Sequence, residues 1–266
     1  MPALLFYKTS TAEFSIELVG SYSLVIVGGF FTALFFSLAA TKLVGMSGAV
    51  SSSVMQGAAR HNAFIALSIA GSLYGTAGLS LGALAMAVLI PATNFAVVPM
   101  MVVLNKGERS GNFATVVLRD LRRNPLILSV LLGVAFNIAS LDDVPVLHET
   151  TRLLGNAALP IVLMCVGANL RLRAMRASTL PLIISSVGKF IIFPVIALLL
   201  AQYLGLSKLE TMVVILFAAA PTASSAYTLA RQMGGDAPLM AAITTIQTAL
   251  SFLLLPLTLL VVELYF

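Results

Sequence analysis

Tryptophan is absent, cysteine occurs once, histidine twice, and Asp, Glu, Lys and Arg together make only 9% of the 266 residues. Soluble domains carry about 25% charged residues, so this chain lacks the side chains to cover a water-facing surface. The lone Cys165 excludes an internal disulfide, and no Cys/His cluster has metal-ligand spacing. No metal and no cofactor is expected, and the lack of an ATP-binding motif excludes direct hydrolysis as an energy source. The net charge of +5 reflects loops, and nucleic acid is not implied. Regular apolar–polar alternation is also missing, which excludes a transmembrane barrel.

What the chain has is apolar length: 59% of its residues are hydrophobic and the mean hydropathy is +1.04. At roughly 20 residues per helical span, this length holds about eight to ten spans. An all-α integral membrane protein with one polytopic domain is therefore expected. Apolar runs bounded by Gly, Pro or charge fall at about Leu18 to Ala40, Ser51 to Leu73, Gly78 to Leu104, Leu121 to Ala139, Leu153 to Leu170, Leu180 to Leu204, Leu209 to Arg231 and Leu239 to Leu264. The opening Met1-Pro2-Ala3-Leu4-Leu5-Phe6 has neither the basic region nor the cleavage site of a signal peptide and reads as the end of another helix. Basic residues set the orientation. Lys42, Arg60, the cluster from Lys106 to Arg123, the cluster from Arg171 to Arg176, and Arg231 fall on one side, against Lys8, Arg152 and Lys208 on the other. The first side is expected to be cytoplasmic, with a central cytoplasmic linker at 105–120 whose Phe113, Val116 and Val117 suggest an interfacial helix.

Sliding the chain by about 158 residues aligns Pro2 with Pro160, Gly29 with Gly188, Phe31 with Phe190, Asn62 with Pro221 and Gly75 with Gly234, with Pro99 and Pro256 two residues out of step. Two copies of one unit are expected, repeat one at 1–104 and repeat two at 121–264. The second has five spans, so the first copy is expected to have an opening helix ahead of Met1, about 40 residues of chain. An odd number of spans per copy inverts one copy relative to the other, the architecture of many secondary transporters.

In each copy one span is interrupted: Ser51 to Leu73 contains Gly57, His61, Asn62 and Gly71, and Leu209 to Arg231 contains Ala220-Pro221-Thr222-Ala223-Ser224-Ser225. Proline and small polar residues free backbone groups at membrane depth. Two such segments crossing at mid-membrane offer half-helix N–H groups to an anion and carbonyls to a cation. A plain kink packed by Ser and Thr is the bland alternative.

The stretches Pro2-Ala3-Leu4-Leu5-Phe6, Asn62-Ala63-Phe64-Ile65-Ala66-Leu67, Asn124-Pro125-Leu126-Ile127-Leu128, Leu154-Gly155-Asn156-Ala157-Ala158-Leu159-Pro160 and Ala220-Pro221-Thr222-Ala223-Ser224-Ser225 through Gly234-Gly235-Asp236 are similar to the auxin efflux carrier family, itself related in fold to bile acid:sodium symporters. The resemblance covers essentially the whole chain. It implies ten helices in two inverted five-helix repeats, a scaffold and a transport domain, and Asn62 and Pro221 as the crossover residues. It also implies transport of small organic anions such as malonate or auxin-like acids, as in bacterial members of the inner membrane. Ser68 departs from the pattern, standing where many relatives have proline.

Lys189 lies nine residues into the span that begins at Leu180, about 14 Å deep in a core about 30 Å thick. No Asp or Glu lies in the interior of the complete spans, Glu210 and Glu263 standing at the very ends of theirs. An intramembrane charge costs at least about 2.5 kcal/mol, so the ammonium is read as a substrate counter-charge, as an amine held by crossover carbonyls, or as a snorkelling side chain. The expected substrate-binding residues are Asn62, Pro221, Thr222, Ser224, Ser225 and Lys189. Arg60 and His61 are read as interfacial anchors, Gln247 with Thr244, Thr245 and Thr248 as interhelical hydrogen-bonding groups, and Asn156 and Asn169 as helix caps. Cys165 is read as a small buried residue and the glycines from Gly71 to Gly82 as close-packing positions.

The best functional reading is a secondary active carrier of small organic anions working by alternating access, not an enzyme. Its expected partners are the anion and the lipid bilayer, with a coupling proton or sodium ion and a homodimer left open. Two alternatives come from other classes. Ser47 within Gly45-Met46-Ser47-Gly48, with His61 or His148 as base, has the local form of an intramembrane serine protease. A non-transporting sensor or channel is the other, and saturable counterflow distinguishes a carrier from it.

Overall fold

The computed structural model describes residues 1–11, 16–105, 125–141, 144–168 and 179–265. Among them are eleven α-helices, one π-helical turn and no strand. In chain order the helices are α1 (Pro2–Ser10), α2 (Ile16–Leu43), α3 (Gly48–Ala59), α4 (Ala63–Asn105), α5 (Pro125–Ile138), α6 (Pro145–Ala168), α7 (Thr179–Val187), α8 (Phe193–Tyr203), α9 (Lys208–Ala219), α10 (Ser225–Gln232) and α11 (Ala237–Tyr265), with the π turn at Gly188–Ile192. Four stretches, Leu18–Leu43, Gly48–Asn105, Thr179–Tyr203 and Ala237–Tyr265, are long and apolar enough to cross a membrane. Leu24, Leu132, Leu199 and Phe252 are among many large side chains pointing outward, as a lipid-facing surface requires. This is a multi-pass, all-α integral membrane protein.

Each expected span has a helical counterpart, and the two interrupted ones break as their sequences suggest. The span expected from Leu153 starts earlier, at Pro145, because proline fits a first helical position and His148 Nδ1 accepts the Val144 N–H at 3.0 Å. Asn156 therefore lies inside α6, exposed, and caps nothing. The linker at 105–120 apart from Asn105, the basic residues Lys106 to Arg123 and Arg171 to Arg176, Asp142, Asp143 and Asn169 lie outside the described residues.

The short helices α3 and α9 form the centre. Every residue from Ser51 to Ala59 and from Thr211 to Ala219 is buried, as expected for helices without a polar face. Their ends are alike. Gly45 (φ 71°) and Gly205 (φ 69°) turn the chain. Ser47 and Ser207 then accept the N–H of Val50 and Glu210, each at 3.4 Å. Both helices run 12 residues and stop at an extended residue, Arg60 (ψ 144°) or Ala220 (ψ 138°).

Within α4, Gly75 takes φ 58° and ψ −137°, and the helix folds back on itself there. A Cβ on Gly82 would come within 2.6 Å of Leu67 Cδ1, and one on Gly71 within 2.7 Å of Leu79 Cδ2. These glycines let the two limbs of α4 pack closely, while Gly75 serves the turn.

Two packing groups result. Helices α5 and α6 each pack on α1, and the three meet the rest chiefly through α4, whereas α2, α3 and α7 to α11 pack around the half-helices.

Candidate functional site

The two helix breaks touch. Asn62 N–H, just beyond α3, donates to Pro221 O, just beyond α9, at 2.7 Å. On the far side of the first break, Asn62 Oδ1 accepts the Ile65 N–H at 3.3 Å and caps α4. The second break is clasped instead. Gln247 Oε1 on α11 accepts Thr222 N–H at 3.2 Å and lies 2.6 Å from the Thr222 hydroxyl, which is also 2.9 Å from Gly57 O. Gln247 Nε2 donates to the same Gly57 carbonyl at 3.1 Å. Gln247 is thus an interhelical hydrogen-bonding residue, as its position suggested. Without these bonds the backbone opened by Pro221 would sit unpaired in a water-poor interior, at several kcal/mol per group.

A cavity of about 480 Å³ lies against the breaks, lined by Arg60, His61, Asn62, Thr93, Ser224 and Ser225 among polar residues, with Phe64, Met86, Ile90 and Val162 among apolar ones. Ala63 and Phe64 begin α4, and Ser225 begins α10, so the N-terminal ends of both half-helices open on it. Such ends carry unsatisfied N–H groups and about half a positive charge. Arg60 reinforces them: its Nη2 donates to Ser225 Oγ at 3.3 Å, bridging the first break to α10. Its Nη1 is sealed from solvent and has no hydrogen-bond partner, as is true of His61 Nδ1 and Thr93 Oγ1. No Asp or Glu is among the described lining residues. A half-buried guanidinium with an unpartnered Nη1, on the wall of a cavity beside two helix N-termini, is suited to receive an anion.

A larger cavity, about 750 Å³, is lined mainly by Ile69, Leu73, Leu163, Phe252, Leu255 and Leu259. Volume does not choose between the two, whereas convergent polar groups do.

Of the six expected substrate-binding residues, Asn62, Ser224 and Ser225 line the smaller cavity; Pro221 and Thr222 lie behind it in the break, and Lys189 is not among the lining residues. Lys189 is fully buried with its Nζ 3.5 Å from Ala59 O and 5.0 Å from the Phe193 ring centre. That geometry is incompatible with snorkelling. His61, read as an interfacial anchor, is instead packed inside, only 7% exposed with its ring against Phe217. A signal for it existed, because Arg60 and His61 follow the 12 residues of α3, a rise of about 18 Å along the helix from its start. Cys165, expected to be buried, is exposed and lines the cavity.

Ser47 is the cap of α3, and His61 lies at the opposite end of that helix, while His148 Nε2 is 3.0 Å from Ser10 Oγ in the other packing group. Ser47 therefore pairs with neither histidine.

A family model described as membrane transport protein matches residues 1–259. No curated protein matches the chain.

Proposed function

The chain belongs to the membrane transport protein family, the family of the auxin efflux carriers, and is a membrane transporter rather than an enzyme; from that premise we propose that it is a secondary carrier of small organic anions. The observation that carries this reading is Arg60, with an unpartnered Nη1, on the wall of a cavity with no carboxylate among its described lining residues. A substrate carboxylate bound there completes Arg60 and is met by Asn62, Ser224, Ser225 and the first turns of α4 and α10. Phe64, Met86 and Ile90 face the rest of the molecule, which favours an anion with an apolar body.

The position of the cavity supports alternating access. Leu126 on α5, with Val162 and Cys165 on α6, forms one wall, and the two breaks form the other, so its walls belong to both packing groups. Sliding one group against the other opens the cavity to either side in turn. The matched caps, lengths and breaks of α3 and α9 support two inverted copies, with α3 entering from the cytoplasm and α9 from the opposite face.

Two experiments test this. In proteoliposomes, labelled malonate or a labelled aromatic monocarboxylate shows saturable counterflow in the wild type and loses it in Arg60→Gln; non-saturable flux of both, or full counterflow in the variant, refutes the reading. In a Cys165→Ser background, a membrane-impermeant thiol reagent labels Ser47→Cys from the cytoplasmic side and Ser207→Cys from the other, and labelling of both from one side refutes the inversion.

A further inference from the structure

The carboxyl end of α3 is a natural cation site, because the last carbonyls of a half-helix carry about half a negative charge with little water to screen it. Unwound carbonyls of this kind hold sodium ions in many secondary transporters. Here donors from the protein already cover them. Gln56 O accepts the Arg60 N–H at 2.9 Å. Gly57 O accepts from Gln247 and faces the Thr222 hydroxyl. Ala59 O faces Lys189 Nζ. We propose that Lys189 is a tethered cation seated where a free monovalent cation would otherwise bind, so that the transporter completes this site without sodium or potassium.

The surrounding packing delivers the ammonium to that place. Pro194 has no N–H and its ring crowds the carbonyl four residues earlier, which a widened turn relieves. The π turn Gly188–Ile192 is that widening, closed by Phe193 N–H to Gly188 O. Gly188 lies against Ala58, where a Cβ would meet the Ala58 Cβ at 2.6 Å, so the turn abuts the last residues of α3. The Phe193 ring, held against Gly29, supplies a second face for the ammonium. The only ion pair among the described residues joins Arg152 to Glu149 at the surface. Lys189 is thus balanced as a bound alkali ion is, by a carbonyl, a helix dipole and a ring rather than by a carboxylate. One turn earlier on α3, Gln56 is fully buried with neither side-chain polar atom partnered, a spare ligand for a cation that can move.

The inference rests on the packing of α3, and its test contains no substrate, so it stands or falls apart from the proposed cargo. The melting temperature of the purified wild type is expected to be the same in sodium, potassium and choline chloride at equal ionic strength. Lys189→Ala, which vacates the site, is expected to melt lower in choline and to gain about 5 °C, saturably, with methylammonium or sodium. Lys189→Met, which fills the space without charge, is expected to gain nothing. A saturable sodium or potassium stabilisation of the wild type overturns the proposal, as does a Lys189→Ala response no larger than that of Lys189→Met. If Lys189→Ala is not recovered folded in choline, recovery of folded protein in methylammonium supports the proposal and failure to recover it there overturns it.

Discussion

The two helix breaks meet through one backbone hydrogen bond, yet they are built on opposite plans. The first, at Arg60 to Asn62, presents side chains: a guanidinium, an imidazole and a carboxamide, two of them with polar atoms sealed from water and unpartnered. The second, from Ala220 to Thr222, is consumed by internal bonding, with Thr222 and Gln247 closing on Gly57. The same backbone event, a 12-residue half-helix ending in an extended residue, thus serves in one place as a receptor and in the other as a clasp. Breaking a helix at membrane depth is expensive only where the freed groups stay unpaired. The second break repairs itself, whereas the first leaves work for a ligand.

The sharpest way to break this contrast is Arg60→Gln. Removing a charge-assisted contact of about 1.5 to 3 kcal/mol should weaken anion binding about ten- to hundred-fold, while the melting temperature holds because Arg60 has no ion pair among the described residues. Arg60→Lys should restore only part of the affinity, since an ammonium does not reproduce the planar fork. Equal affinity in wild type and Arg60→Gln would remove the receptor half of the comparison.

Variants of the clasp should do the reverse. Thr222→Val and Gln247→Leu each leave buried partners unsatisfied, at about 1 to 3 kcal/mol, and should lower thermal stability more than the affinity of folded molecules. Because both act on the same Gly57 carbonyl, the double variant should cost less than the two singles added, a cycle readable from melting curves. Strict additivity would show that the clasp is not one network.

Next in size are the returns that follow each break. Gly75→Ala forces a side chain into a backbone region that is essentially glycine-only and should cost about 2 kcal/mol, although nothing lies within 4 Å of the new Cβ. Gly234→Ala, at φ 74°, should cost about 1 kcal/mol. Denaturation monitored by helix content ranks them, and a larger loss at Gly234 would reverse the expected order.

The smallest effect separates the caps. Asn62→Ala removes the side-chain acceptor for Ile65 N–H and should cost about 1 kcal/mol. The Ser224 side chain makes no capping bond at α10, so Ser224→Ala should leave stability unchanged and register only in anion binding, through the hydroxyl at the cavity wall.

Apolar run length, Gly and Pro placement and the near-constant offset between matching residues are local or periodic properties, and the sequence by itself determined from them the all-α membrane class, the spans and the position of both breaks. A helix cannot break at Pro221 or turn back at Gly75 without leaving those residue types in the chain. What only the tertiary structure decided is which polar residues face the cavity. Distance along a helix places Arg60 at the far end of α3 and Lys189 well inside its apolar stretch; it does not set direction. In an ordinary amphipathic helix the 3.6-residue pattern supplies direction, but α3 and the π turn around Lys189 are buried all round and carry no such pattern. Their facing is set by contacts far apart in sequence, Gly188 on Ala58 and Thr222 with Gln247 on Gly57. Those contacts turn Arg60 toward the cavity and Lys189 toward the carbonyl behind it.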